Sequence, residues 1–133
     1  MRADSAAEVA RSFVAAINAH DVEAICGLMT DDFVFVDSIG RVVQGRESMR
    51  SGWEGYFKWF PDYQITIEDT LEAGGLVAML GSAKGTLSQQ GAMKPENHWQ
   101  VPAAWKAMVR GGRIAEWRVY ADNYQTVKMV RGE

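Results

Sequence analysis

The apolar residues change period at Pro61, and that switch limits what the chain can fold into. Before it, Val9, Phe13 and Ile17 recur at four-residue spacing, as one buried helical stripe requires. Ser5 with Glu8 three residues on is a capping-box start for that helix. Asp21 is placed to cap a second, shorter helix whose stripe is Val22, Ile25, Cys26 and Met29, ended by Thr30-Asp31-Asp32. A two-residue period over 33–37 then predicts a short strand, with Phe33, Phe35 and Asp37 on one side and Val34 and Val36 on the other. Met49, Trp53, Tyr56, Phe57 and Phe60 return to helical spacing until Pro61 stops the third helix. Everything beyond reads as strands, over 63–71, 76–87, 98–109 and 113–122, turning at Gly74-Gly75 and Gly111-Gly112. Residues 88–97 are too many for a tight hairpin and are expected to form a rim or lid loop.

This order predicts an α+β fold in which three N-terminal helices pack on one face of a curved, mostly antiparallel sheet and enclose a concavity. Residues 76–87 carry apolar or small side chains at both parities, so the outer sheet face is expected to be covered as well, by a second copy of the chain. A length of 133 residues without a linker-like stretch suits one domain over 1–133. The net charge of −3, with both signs interspersed, offers no phosphate-binding surface, so nucleic acid is not an expected partner. No apolar run approaches the roughly 20 residues of a bilayer span. Met1-Arg2-Ala3-Asp4 leads into an amphipathic segment instead of a signal-peptide core, so no membrane partner and a cytoplasmic address are expected. Cys26 is the one cysteine, which excludes an intrachain disulfide. Without a phosphate-binding glycine fingerprint or a Cys-His pair at metal spacing, neither cofactor nor metal is expected.

The candidate site residues follow from parity and chemistry. Asp37 shares its side of the strand with Phe33 and Phe35, and a carboxylate among rings either gains a raised pKa suited to a general base or finds donors. The other reading is a strand-end Asp bonded to the Ser38-Ile39-Gly40 turn. His98, beside Trp99, is either a pocket acid or base or a rim histidine. Tyr56 offers a hydroxyl donor from the aromatic face of the third helix. Asp122 shares parity with Glu116, Arg118 and Tyr120, opposite to Trp117 and Val119, and ranks second because it faces away if Trp117 faces in. Phe13, Phe35, Trp53, Phe57, Phe60, Trp99, Trp105 and Trp117, with Ile17, Met29, Met79 and Val119, are expected to line a pocket for a small hydrophobic, planar ligand.

Four local stretches carry a resemblance to a known family: His20-Asp21-Val22-Glu23-Ala24-Ile25, Thr30-Asp31-Asp32-Phe33, Phe35-Val36-Asp37-Ser38-Ile39-Gly40 with Gly45-Arg46-Glu47, and Gly112-Arg113-Ile114-Ala115-Glu116-Trp117. Over residues 6–123 the chain resembles the nuclear transport factor 2-like superfamily, in its SnoaL-like polyketide cyclase and ketosteroid isomerase-like branch. The resemblance implies a cone-shaped barrel of cystatin-like type and puts Asp37 at the general-base position of the isomerases. Their tyrosine donor falls at Phe13, their aspartic-acid donor at Ala103 or Ala104, and the last-strand acid of the cyclases at Val119. The activity implied is that of a cofactor-independent isomerase, cyclase or dehydratase, removing a proton next to a carbonyl of a small hydrophobic substrate, cyclic or open-chain. The alternative is a non-catalytic ligand-binding or dimerisation module of the same fold.

Overall fold

A computed structural model describes residues 5–132, so residues 1–4, read above as the lead into the first helix, lie outside the described residues. Helix α1 (Ala6–Asn18) starts where Ser5 Oγ accepts the Glu8 N–H at 3.1 Å, and it buries Val9, Phe13 and Ile17 as the spacing requires. Helix α2 (Val22–Gly27) is capped by Asp21, whose Oδ1 accepts the Ala24 N–H at 3.1 Å.

Strand β1 (Met29–Val36) begins four residues before the expected one. Its pairing jumps from Met29 opposite Ile114 to Val34 opposite Glu116, so Thr30-Asp31-Asp32 form a bulge inside the strand and do not simply end α2. Strand β2 (Val42–Gln44) is a short edge hairpin partner of β1 that the sequence pattern does not announce, because all three of its residues are exposed. Helix α3 (Arg46–Trp59) follows, with Met49 and Trp53 buried. The remaining strands are β3 (Gln64–Ala73), β4 (Leu76–Gln89), β5 (Ala92–Arg110) and β6 (Arg113–Ala121), and helix α4 (Tyr124–Arg131), without a buried residue, is the last element of the described residues.

The expected lid loop over 88–97 is a correction. Gln90 and Gly91 take φ of 52° and 79°, the left-handed pair of a two-residue hairpin turn, so β4 and β5 run on to meet there. The surplus residues go into an irregularity between the Thr86–His98 and Ser88–Met93 pairs, where Pro95 owes no ladder hydrogen bond.

The strands form one six-stranded sheet in the order β2-β1-β6-β5-β4-β3, with β1 parallel to β6 and every other pair antiparallel. The sheet stays open: β2 and β3 are its edges, and the barrel implied by the resemblance does not close. Helices α1 and α3 pack across one face, and α2 lies against both of them. Val77, Met79, Trp99, Trp105, Ala107, Ile114 and Trp117 alternate inward on β4, β5 and β6 to meet Phe13, Ile17, Met29, Phe33 and Trp53 in one core. At the β3 edge Asn18 substitutes for a strand: its amide donates to the Ile65 carbonyl at 2.9 Å and accepts the Ile65 N–H at 2.8 Å.

Candidate functional site

The rings expected to line a pocket lie together in or against the core, in contact with one another. Phe13 tilts against Trp117 with centroids 4.9 Å apart, Trp105 stacks on Trp117 at 6.5 Å, and Trp53 stacks on Phe57 at 5.4 Å. Trp105 and Trp117 are each 1 % exposed. Ile17, Met29 and Met79 are wholly buried beneath them, and Val119 stands opposite Trp105 on the neighbouring strand. Two open crevices lie elsewhere, one of about 500 Å³ between α1 and β3, the other of about 540 Å³ between α4 and the β4–β5 hairpin. These rings pack against one another as an aromatic core.

At one end of that core the rings carry polar tips. Tyr56 meets Tyr63 at 5.0 Å and Trp53 at 6.2 Å, and Tyr63 meets Trp99 at 6.1 Å, so the four form a contiguous group with Phe60 between Tyr56 and Trp99. The indole N–H groups of Trp53 and Trp99 are buried without an acceptor, as is that of Trp105 deeper in the core. Burial raises the Tyr63 hydroxyl far above the usual phenol range, and burial, then the nearby Tyr63, raises that of Tyr56. All four groups therefore act as donors at neutral pH. An unpaired buried donor costs about 1–3 kcal/mol unless it finds an acceptor.

The sequence does not single out Tyr63, because it lies directly after a turn, one residue ahead of β3. Its shared parity with the inward Ile65 is the signal that would have found it.

Because the folded protein holds the phenol protons more tightly than the unfolded chain, their contribution to stability is intact below about pH 10 and is lost as pH rises past it. The thermal midpoint is expected to decline above that pH. In Tyr63→Phe the decline should be shallower, and an identical slope in both proteins would count against the buried phenol.

Asp37 takes up the turn geometry. Its Oδ1 accepts the Ile39 N–H at 3.0 Å and the Arg41 N–H at 2.9 Å, while Oδ2 takes only the Arg41 Nε–H at 2.8 Å. Arg41 is 76 % exposed, so that ion pair is a surface one and worth at most about 1 kcal/mol. Asp37 lies two residues beyond Phe35, whose ring meets the edge of Trp53 at 6.4 Å.

The structure does not bring His98 to this group. It is exposed and faces the outer side of β5, while the adjacent Trp99 faces in. Asp122 is also exposed, and its Oδ1 accepts the Tyr124 N–H at 3.1 Å at the start of α4. The outer face carries Leu76, Leu80, Met108 and Tyr120, each more than a third exposed. Beside them lie the Lys106–Glu116 ion pair at 2.8 Å and Arg118 over the Tyr120 ring at 5.1 Å.

Residues 10–117 match the model of the SnoaL-like domain. The chain belongs to the SnoaL-like domain family. No curated protein matches it in sequence. Among solved structures, it is similar to an uncharacterised cystatin-fold protein from Novosphingobium aromaticivorans at 26% identity and a TM-score of 0.74, covering 87% of this chain and 97% of that one. It also resembles a protein of ketosteroid isomerase-like fold from Catenulispora acidiphila, solved with trimethylamine, at 24% identity and a TM-score of 0.73 over 85% and 84% of the two chains. A third is IdmH from Streptomyces antibioticus, a candidate polyketide cyclase, at 23% identity and a TM-score of 0.78 over 96% and 99%. The last two likenesses carry the fold alone, so the SnoaL-like chain is read from its own site. The described residues include no helix long and apolar enough to cross a membrane.

Proposed function

We propose that this SnoaL-like chain binds a planar, apolar ligand bearing carbonyl oxygens at the Trp53–Tyr56–Tyr63–Trp99 end of its core, and acts on it as a cofactor-independent isomerase, cyclase or dehydratase. The observation that carries the reading is the composition of that group: four contiguous donors, two of them indole N–H groups buried without a partner. A carbonyl oxygen supplies the missing acceptor, and donors fixed before the ligand arrives stabilise the negative charge that develops on that oxygen when a neighbouring proton leaves. Ligand entry requires rings such as Phe57 and Tyr56, only partly buried, to move aside. The direct test compares 9-fluorenone, a planar ketone, with fluorene, the same skeleton without oxygen, by quenching of tryptophan fluorescence. Tighter binding of the ketone is expected, and equal binding would remove the donor argument.

Asp37 is the base in this reading. Two backbone N–H groups anchor Oδ1, so Oδ2 becomes free to take a proton as soon as the exposed Arg41 swings away. In deuterated water, wild type is expected to speed exchange of the protons next to the carbonyl of 2-tetralone, and Asp37→Asn to lose roughly a hundredfold or more of that rate while still binding the ketone. Binding without exchange in wild type would favour the non-catalytic module. That second reading has its own support in the turn and ion-pair bonds that already occupy Asp37.

The same proposal covers the assembly. The exposed apolar residues on the outer sheet face suit a homodimer packed sheet to sheet, and the continuous sheet and core support one domain over residues 1–133. The single, buried thiol of Cys26 is compatible with a cytoplasmic address.

A further inference from the structure

Among the described residues Thr86, on β4, is the one polar residue that is buried, and it stands between a carboxylate and an imidazole. Asp62 Oδ1 accepts its backbone N–H at 2.7 Å and Asp62 Oδ2 accepts its hydroxyl proton at 2.7 Å. An ionised carboxylate only accepts, so the one proton of the Thr86 hydroxyl is committed to Asp62. The hydroxyl oxygen, 2.9 Å from His98 Nδ1, must then accept from that nitrogen. This fixes the neutral His98 as the Nδ1–H tautomer and leaves Nε2 outside the chain of bonds. The result is a directed series: His98 donates to Thr86, and Thr86 donates to Asp62.

Each member of the series stands next in sequence to a wall of the donor group. Asp62 precedes Tyr63, and His98 precedes Trp99. Thr86 follows Gly85, where an added Cβ would come within 3.1 Å of the Trp99 ring and 3.4 Å of the Phe60 Cβ. Strand alternation puts the bonded series on one side of β4 and β5 and the rings on the other. Pairing of β3 with β4 starts only at Gln64 opposite Lys84, so past that point the edge of β4 has no strand beside it, and the Asp62 carboxylate takes the Thr86 N–H in place of a strand.

We propose that the Asp62–Thr86–His98 series is a positioning device that ties the turn carrying Tyr63 to the strand carrying Trp99, holding the two donors at the spacing at which both reach one ligand. The inference rests on the donor-group reading above. None of its three residues touches the ligand. What they set is the separation of two walls that come from distant parts of the chain, the α3–β3 turn and the start of the regular pairing of β5.

The test uses the intact protein with Thr86→Val, which keeps the shape and deletes the hydroxyl, and Thr86→Ser, which keeps the hydroxyl. Affinities for 9-fluorenone and fluorene are read by tryptophan quenching, and the near-ultraviolet circular dichroism of the ligand-free proteins is recorded beside them. Thr86→Val is expected to lose roughly tenfold in ketone affinity, the worth of about one hydrogen bond, with fluorene affinity unchanged and an altered aromatic spectrum. Thr86→Ser is expected to restore both readouts. A ketone preference in Thr86→Val equal to that of wild type overturns the positioning role, as does a parallel loss of both ligands in Val and Ser alike. If wild type itself shows no ketone preference, the donor-group reading fails, and the spectrum alone then decides the series: a wild-type spectrum in Thr86→Val overturns it.

Discussion

Gly81→Ala is expected to destabilise the fold severely, for a reason that lies in the backbone of the neighbouring strand. The pairing of β3 with β4 passes from Ile67 opposite Gly81 to Asp69 opposite Leu80, so Glu68 is an extra residue bulged out of β3 directly beside Gly81. An added Cβ at Gly81 would lie 1.8 Å from the Thr66 carbonyl oxygen and 3.1 Å from the Ile67 Cα. Overpacking that side chains absorb costs about 1–3 kcal/mol, but here the obstacle is a carbonyl in the ladder, so the strand itself must shift. The expected loss is at or above the top of that range, a large part of the total for a domain of this size. Gly27→Ala is the matched control, since it lies in α2 with nothing within 4 Å of its added Cβ, and it should be neutral or slightly stabilising. Urea denaturation of the two variants checks the pair. Equal midpoints would mean that the bulge does not press on Gly81.

The same bulge shows why the fold was more legible than the site. Stripes such as Val9, Phe13 and Ile17, and alternations such as Trp99, Val101, Ala103 and Trp105, depend on which face is buried, and burial is what apolar periodicity reports. Bulges add a residue without changing composition, so the one within β1 reads as a helix stop and the one near Thr86 reads as a loop. Strand β2 and helix α4 have no buried residue, and an element without a buried face leaves little periodic trace. The site was legible as an inventory of rings but not as an arrangement. Sequence parity gave Trp99 and His98 opposite sides of β5 without telling which side was concave. No spacing rule links Asp62, Thr86 and His98, which meet only through the sheet register. Asp37 could be read as a base or a turn residue from sequence, and its bonds to Ile39 and Arg41 make the turn role part of any catalytic one.

Trp117→Ala should have an effect of similar size for the opposite reason, a void instead of a clash. Trp117 is 1 % exposed and touches Phe13 of α1 and Trp105 of β5. In the register of the sheet it lies between Phe35 and Ala107, and so ties the helical layer to three strands. Truncation of a buried aromatic costs about 3–5 kcal/mol, because the atoms removed lose their transfer energy and rigid neighbours cannot collapse into the gap. Neighbours this large are stiff, which puts the expectation at the upper end. Trp99→Phe supplies the contrast. It keeps most of the ring but removes an indole N–H that is buried without an acceptor, so the lost area and the relieved donor should nearly cancel in the ligand-free protein. The same change should cost ketone affinity. Thermal denaturation and 9-fluorenone quenching on both variants separate the two roles: Trp117→Ala should lose stability, and Trp99→Phe should keep stability and lose the ligand. A large stability loss in Trp99→Phe with unchanged ketone binding would assign Trp99 to packing alone and take away one of the two unpaired indole donors of the group.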